Sequence, residues 1–456
     1  MNTSTRFREY DPDQLLLLPA DLRAWLPSNH VAYFILDLVR DLDLSSFYES
    51  YDGSLGGQPP YDPRMMVSLL LFAYSQGITS SRKMEHATYD SVAFRVLCLN
   101  QHPDHDTIST FRQRHLEALS GMFPEVLQKC RKADLVRLGH VAVDGTKVKA
   151  NASKHKAMSY GRMKKKLSEL EADVRRYFQE TEATDKSEDA LYGKGKRGDE
   201  PAPGWEAGKG RQEKIRAALA ELEAEAQAEY PAKQAAYKEK VKKRKRRKGP
   251  GRKPKPPSRK PDSKKQRNFT DSDSRIMVSG GTYVQAYNCQ AAVDEKTQII
   301  LAADVTQDAN DKNQAVSMVE QIRTNTSEKP KCLTADTGYY NQNQIDQLQS
   351  QGIETYIATK KHRHGDPIPI CPRGPIPKAA TTKERMARKL LTIKGRCTYA
   401  KRKQIVEPVF GQIKELRRFN RFSFRGLKKV TAEWNLICLT HNLLKLYRMN
   451  WQPKAA

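Results

Sequence analysis

One stretch of the chain carries too much positive charge to join a compact core. Between Lys238 and Arg267 there are 17 lysines and arginines against two acidic residues, and five prolines fall within Pro250–Pro261. Such a segment repels itself and has almost nothing to bury, so we expect an extended, solvated tether. The tether divides the sequence, and compact units have to be sought on either side of it.

The same tract indicates a polyanionic partner. The 456 residues include 80 Lys and Arg against 53 Asp and Glu, a formal net charge of +27. Phosphates can displace counterions from such a surface, and the resulting affinity falls steeply with salt. The candidate contacts are the consecutive cations Lys243, Arg244, Lys245, Arg246 and Arg247. A solubilising linker remains the alternative interpretation.

Composition and apolar patterning disfavour membrane insertion, secretion and a disulfide framework. The longest apolar run, Met65 to Tyr74, is interrupted by Ser68 and falls short of the roughly 20 residues that a bilayer requires. The N-terminus carries no apolar signal segment. The seven cysteines form no C-x-x-C pair, which suits a reducing compartment. We therefore expect a cytoplasmic protein.

The pattern predicts an α/β protein with an N-terminal all-α region. Pro63–Tyr74 has the apolar content of a helix, Ser80 or Ser81 can cap a second helix, and Asp106 or Thr107 a third. A helix-turn-helix and a plain bundle both fit these helices. Further on, short strands alternate with helices, which predicts a mixed sheet. The expected strands are His140–Val148, Tyr283–Val293, Thr297–Val305, Lys331–Asp336 and Glu354–Thr359.

The predicted domain organisation follows from these changes in character. It consists of an N-terminal helical domain at 1–135, a first strand at 136–154, a helical hairpin with the Lys/Arg/Pro-rich insertion at 155–270, the remaining sheet at 271–360, a Pro-rich loop at 361–398 and C-terminal helices at 399–450.

Two aspartates stand at the ends of short apolar strands, Asp144 in VAVDGT and Asp336 in LTADTG. A carboxylate in such a partly desolvated position is costly unless something compensates it. Mg²⁺ takes carboxylate oxygens, and two such ions about 4 Å apart can serve phosphoryl displacement. The alternative for each aspartate alone is a turn cap.

We choose Glu407 as the third acid. Lys403, Glu407 and Lys414 are spaced by four and seven residues, so on a helix they share one face and could form a phosphate clamp beside a metal ligand. Pro408 suits only the first turn or a kink, so the helix is expected to begin close to Glu407.

Several motifs resemble the DDE transposases of bacterial insertion sequences, in particular the long members with a lysine-rich insert after the first Asp. The resemblance spans nearly the whole chain. Its motifs are YDPRMM from Tyr61, GITSSR from Gly77, PDHDTISTFR from Pro103, VAVDGTKVKANAS from Val141, TADTGYYN from Thr334, and the run from Tyr399 through Arg425, Glu433 and His441.

The resemblance implies a ribonuclease H-like core in which Asp144, Asp336 and Glu407 hold two Mg²⁺ or Mn²⁺ ions. It implies hydrolysis at terminal inverted repeats, strand transfer into target DNA, and a homodimer acting on double-stranded DNA. The family's Tyr–Arg–Glu–Lys signature fits Glu407 and Lys414. Tyr399 stands one residue early and Lys403 replaces the arginine, with Arg402 as the alternative occupant.

Two other functions stay open: a non-catalytic DNA-binding regulator, and a metal-dependent nuclease without strand joining. Weaker patterns are interpreted conservatively. Trp434 is expected in the core, and Asp304, Asp308 and Asp311 in a solvated loop after a strand. Four residues of irregular spacing are expected to be ordinary loop residues rather than a zinc site, namely His362, His364, Cys371 and Cys397.

Overall fold

A mixed β-sheet lies at the centre of the protein. The computed structural model describes residues 21–51, 59–172, 176, 205–246, 254–360, 369–377 and 379–451. Its strands are β1 (His140–Lys149), β2 (Ala157–Ser159), β3 (Gln266–Asn268), β4 (Arg275–Ser279), β5 (Thr282–Asp294), β6 (Ile300–Thr306), β7 (Cys332–Ala335) and β8 (Glu354–Ile357).

The main sheet combines antiparallel and parallel pairing. Its order is β4-β5-β1-β7-β8, with β6 also paired to β5, while β2 and β3 form a separate two-stranded sheet. Strand β1 runs antiparallel to β5 and parallel to β7, and β7 runs parallel to β8. Helix α10 (Gln314–Thr326) leads from β6 to β7, and α11 (Gln342–Ser350) from β7 to β8. The predicted α/β class and mixed sheet are confirmed.

Helices precede the sheet, as predicted. They are α1 (Val31–Arg40), α2 (Ser45–Tyr48), α3 (Pro63–Ser75), α4 (Ser81–Asp90), α5 (Val92–Leu97), α6 (His105–Arg114) and α7 (Leu116–Lys132). Asp62 caps α3 by accepting from the Arg64 N–H, and Pro63 occupies the first turn. Helix α6 begins earlier than predicted, because Asp104 rather than Asp106 or Thr107 is its cap.

The N-terminal helices and the sheet are packed into one hydrophobic core. That core runs from α1 through the sheet to α14 (Leu427–Asn450), which packs against α7, α3 and β6. Trp434 of α14 is fully buried, and its indole N–H donates to the Gln290 carbonyl at 3.0 Å. The prediction that Trp434 is a core residue is confirmed.

The insertion has a small core of its own. Helix α8 (160–172) packs on α9 (Trp205–Arg246) through a cluster that includes Met163, Ile215 and Leu222. Beyond Ala226 the described side chains of α9 are mostly exposed, and none of them belongs to the cluster. The expectation of an extended tether over Lys238–Arg267 is wrong for 238–246, which belong to α9, and for 266–267, which belong to β3.

The C-terminal helices differ from the prediction in two respects, the first being that they begin at Thr382, inside the stretch 361–398 that was expected to be a loop. They are α12 (Thr382–Leu391) and α13 (Ile393–Gly411), with a π-helical turn at Gln412–Leu416 before α14. The expectation that a helix begins near Glu407 is wrong, because Pro408 lies inside α13. The proline leaves the Gln404 carbonyl without its helical donor, and the Gln298 side-chain N–H donates to it at 2.9 Å. None of the helices in the described part of the chain is both long and apolar enough to cross a membrane.

Candidate active site

Asp144 and Asp336 lie side by side on two inner strands of the sheet, where the parallel pairing of β1 with β7 ends. Strands β1 and β7 pair in parallel up to Val143 and Ala335, so the two aspartates are the next residues on adjacent strands. Neighbouring strands are about 4.8 Å apart, which brings two carboxylates into one small region. Burial raises the pKa of Asp144 to about 6; the Asp336 charge adds to the shift and Arg402 opposes it.

Backbone N–H groups of two glycines hold both aspartates, one glycine inside β1 and one in the turn after β7. The Gly145 N–H donates to Asp144 Oδ1 at 2.9 Å, and the Gly338 N–H donates to Asp336 Oδ1 at 2.8 Å. Asp336 therefore also caps the short 3₁₀ turn Thr337–Tyr339. A methyl group on Gly145 would lie 2.7 Å from Asp311 Oδ1, so the side chain of Asp311 packs directly on this backbone. Both positions need glycine because carboxylates approach the main chain there.

Arg402 links two of the three predicted acids. Its Nη1 lies 2.9 Å from Asp144 Oδ2, and its Nη2 lies 3.9 Å from Glu407 Oε1. The Arg402 side chain is only 10% exposed, and its guanidinium carbon is 5.9 Å from the centre of the half-buried Tyr399 ring. Lys403, the next residue, is exposed. Of the two candidates, Arg402 is the cation directed at the acids.

Glu407 and Lys414 approach the same region from the C-terminal helices. The Glu407 carboxylate is 56% exposed and reaches the aspartates by way of Arg402. Lys414, in the π-helical turn, donates to Thr146 Oγ1 at 2.9 Å and to the Lys147 carbonyl at 3.1 Å. Burial lowers the pKa of Lys414. The predicted shared face is thus realised only in part, since Lys414 is fixed to β1 whereas Lys403 and Glu407 face solvent.

The arrangement fits a hard divalent cation, although the acids are not gathered around one point. Within the described ranges, no group of three or more His, Cys, Asp or Glu side chains is arranged to hold a metal ion. Asp144 and Asp336 are nevertheless neighbouring carboxylates in a partly desolvated place, the donor chemistry that Mg²⁺ and Mn²⁺ prefer. Arg402 supplies the positive charge opposite Asp144.

Two family models match the chain, and together they span most of the elements described above. The transposase domain known as DUF772 matches residues 20–114, and the transposase DDE domain matches residues 253–443. The chain belongs to the insertion-sequence DDE transposases. No curated protein and no solved structure matches it. The DDE domain has a ribonuclease H-like fold, so that expectation is confirmed as well.

Membership fixes the general role of this transposase. Its function is DNA transposition, DNA is its substrate, and enzymes of the DDE class generally depend on divalent metal ions. The DDE match covers Asp336, Glu407 and Lys414 but begins after β1, so Asp144 lies between the two matches. The structure nevertheless places Asp144 beside Asp336 through strand pairing.

Sequence reasoning missed a polar cluster on which the transposase site rests. Asp311 was expected in a solvated loop, yet its Oδ1 accepts hydrogen bonds from the fully buried side chains of Asn288 at 2.6 Å and Gln290 at 2.7 Å. That expectation is wrong for Asp311, and Asp304 lies within β6 rather than after it. Asp308 is exposed, as expected. The only signal in the sequence was the pair Asn288 and Gln290, which are two residues apart on β5 and therefore face the same side of the sheet.

The remaining predicted residues lie apart from the acids in sequence or outside the description. Lys243, Arg244, Lys245 and Arg246 form the last turn of α9, and Arg247 falls outside the described residues. His362 and His364 also fall outside them, so the prediction that these two histidines are ordinary loop residues rather than zinc ligands lies outside the described residues. Cys371 is a half-buried loop residue, as expected, whereas Cys397 is exposed on α13, so the expectation of a loop residue is wrong for Cys397.

Proposed function

We propose that this transposase hydrolyses phosphodiester bonds at the ends of its element and joins the freed 3′ ends to target DNA. Asp144, Asp336 and Glu407 are proposed to hold two Mg²⁺ or Mn²⁺ ions. The observation that carries the proposal is the parallel register that sets Asp144 next to Asp336. The raised pKa of Asp144 supports it, because burial and the neighbouring Asp336 charge make the ionised carboxylate costly, and a bound divalent cation would offset that cost.

The two steps exchange the same kinds of bond. In hydrolysis a water oxygen forms a bond to phosphorus as the bond to the 3′ oxygen breaks, leaving a 3′-hydroxyl and a 5′-phosphate. In strand transfer that 3′-hydroxyl attacks a target phosphate and displaces its 3′ oxygen. Bound divalent cations supply activation of the attacking oxygen and neutralisation of the charge that develops on phosphate.

Protein cations are proposed to complete the charge balance. Arg402 holds the Asp144 carboxylate in place through its Nη1 and keeps a second amino group, Nη2, near Glu407. Lys414 ties the π-helical turn to β1 just beyond Asp144, so it fixes the distance between the helix and the strand. Arg402 and Tyr399 lie close enough to the acids to contact a phosphate that enters there.

DNA binding is proposed to extend well beyond the acids. The basic end of α9, Lys243 to Arg246, together with the next residue in sequence, Arg247, is one proposed surface for the DNA backbone, and the N-terminal helices within 1–135 are another. Lys403 is proposed as a further backbone contact, because it is exposed on α13 beside Arg402. Since two element ends must be cut and joined together, we propose that the transposase acts as a homodimer.

A metal-dependent cleavage assay tests the proposal. DNA carrying the terminal inverted repeats is incubated with Mg²⁺ and wild-type protein, or with Asp144→Asn, Asp336→Asn or Glu407→Gln. Each substitution is expected to lower the cleavage rate by about 1,000-fold or more while DNA affinity stays unchanged. Glu415→Gln, in the π-helical turn and exposed, is the matched control and is expected to cut normally.

The same assay separates the alternative functions. Wild-type protein that binds the repeats but never cuts them would identify a non-catalytic regulator. Cutting without joined products on a target plasmid would identify a nuclease. Normal cutting by any one of the three acid variants would remove that residue from the site.

A further inference from the structure

Asp311 lies against two glycines, Gly145 after Asp144 and Gly338 after Asp336. It belongs to the loop between β6 and α10, and its side chain is 19% exposed. A methyl group on Gly145 would lie 2.7 Å from Asp311 Oδ1, and one on Gly338 would lie 3.1 Å from Asp311 Oδ2. Its two oxygens therefore contact the backbone that follows Asp144 and the backbone that follows Asp336.

The two oxygens of Asp311 have different surroundings. Oδ1 accepts from the Asn288 and Gln290 amides, and Lys147 Nζ lies 3.8 Å away. No donor contacts Oδ2 among the residues for which the structure gives positions. The same methyl position on Gly338 lies 2.9 Å from Asp336 Oδ1, so Asp311 Oδ2 and Asp336 Oδ1 face one small space.

The amides that hold Asp311 form a rigid support. Asn288 and Gln290 are fully buried, and the Tyr339 hydroxyl, three residues after Asp336, donates to Gln290 Oε1. Asn288 Oδ1 is buried without a hydrogen-bond partner and lies 3.0 Å from the methyl position on Gly145. An unpartnered buried oxygen beside a carboxylate leaves this corner rich in oxygen acceptors, which favours a cation or its bound water.

From this geometry we infer that Asp311 is a fourth acidic residue of the site, which presents Oδ2 beside Asp336 for the divalent cation or a water bound to it. The inference rests on the proposed metal-dependent function and adds a residue to it. Oδ1 is held by protein donors, so only Oδ2 is directed at the shared space. Asp311 therefore contacts the cation, or a water bound to it, through Oδ2 alone.

Mn²⁺ binding by the full-length protein, measured by calorimetry without DNA, tests the inference. Asp311→Asn removes one charge and keeps an acceptor for the two amides. It is expected to weaken Mn²⁺ binding by about 10-fold to 100-fold. Asp308→Asn, the same change on an exposed position of the same loop, is the matched control and is expected to bind Mn²⁺ as the wild type does.

Two further variants keep the test decisive. Gly338→Ala preserves every charge but places a methyl group between the Asp336 and Asp311 oxygens, and it too is expected to weaken Mn²⁺ binding. If Asp311→Asn does not fold, Gly338→Ala decides the matter. Asp336→Asn reports on the proposed function itself.

The outcomes are distinguishable. Loss of Mn²⁺ binding in Asp336→Asn with wild-type binding in Asp311→Asn and Gly338→Ala would overturn this inference alone. Wild-type Mn²⁺ binding in Asp336→Asn would overturn the proposed metal site as a whole. Cleavage measured against Mn²⁺ concentration adds a second readout, because Asp311→Asn is expected to need about tenfold more metal for half-maximal rate while DNA affinity is unchanged.

Discussion

Charged side chains are held differently in two regions of the molecule. One is the acid edge, the part of the sheet where Asp144 and Asp336 lie side by side, and the other is the outer half of α9, which follows Ala226. At the acid edge, Asp144 is only 21% exposed and has an arginine 2.9 Å from one oxygen and a backbone N–H 2.9 Å from the other. In the outer half of α9, the side chains of Lys238 and Lys242 are exposed, and neither lysine belongs to a hydrophobic cluster. Individual contacts fix the carboxylate of Asp144 at the acid edge, whereas the outer half of α9 presents exposed positive charges.

The difference matches the task proposed for each region. Displacement at phosphorus depends on where oxygens are held, and a misplacement of about 1 Å costs roughly 100-fold in rate. Binding to the DNA backbone depends mainly on how many phosphates are neutralised, and it tolerates variation in position. A single substitution should therefore have a large effect at the acid edge and a small one on α9.

Outside the three acids, the largest effect is expected from Arg402→Gln. The change removes the cation 2.9 Å from Asp144 and leaves that carboxylate facing Asp336 without a charge partner. We expect the cleavage rate to fall by about 100-fold or more. Lys403→Gln removes the same charge one residue later, where the side chain is exposed, and it should change the rate less than about threefold.

Single-turnover cleavage at saturating DNA measures both variants. Equal losses in Arg402→Gln and Lys403→Gln would show that the two cations act only through general attraction for DNA. The contrast between a held and an exposed charge would then have no consequence for catalysis.

A pair of glycines gives the next test of the same contrast. In Gly145→Ala the added carbon would lie 2.6 Å from Gln290 Nε2 and 2.7 Å from Asp311 Oδ1, both in a hydrogen-bonded network. We expect the free energy of unfolding to fall by about 1–3 kcal/mol, with a loss of cleavage. In Gly210→Ala, inside α9, the added carbon meets nothing within 4 Å, and the free energy should rise by about 0.5–1 kcal/mol.

Urea unfolding followed by circular dichroism gives both values. A Gly145→Ala protein as stable as the wild type would show that Asp311 moves aside freely. In that case Asp311 could not be held against the backbone of Asp144 as the structure has it.

How much the sequence reveals also differs between the regions. Asp336 was predicted correctly as a strand-end residue because a short apolar run followed by Asp-Thr-Gly is a local signal. The same prediction is wrong for Asp144, because β1 continues through Gly145 to Lys149. Arg402 could be offered only as one of two candidates. Spacing along a helix names possible faces, whereas the face that meets β1 is decided by how α13 packs.

Long-range contacts account for what sequence reasoning got wrong. Asp311 was assigned to a solvated loop because its partners, Asn288 and Gln290, are more than 20 residues away on β5. Pro408 was taken as a helix start because the donor that replaces its missing N–H is the side chain of Gln298. Both errors arise from hydrogen bonds between segments that no local pattern connects.

The smallest effect is expected on α9. Lys238 and Lys242 are exposed and four residues apart, so they share one face of the helix. Changing both to Gln should lower DNA affinity alike for every sequence and reduce the slope of log affinity against log salt by up to about 2. The cleavage rate at saturating DNA should stay unchanged, because neither lysine belongs to the acid edge.

Lys329 and Lys331 provide the matched control, since both are exposed and lie at the start of β7, the end opposite Asp336. Changing them to Gln removes the same two charges, so any effect of net charge alone appears in both pairs. Fluorescence anisotropy from low to moderate salt measures the slopes. Identical slopes for the two double variants would mean that α9 acts as a spacer, and that the contrast with the acid edge concerns packing rather than DNA.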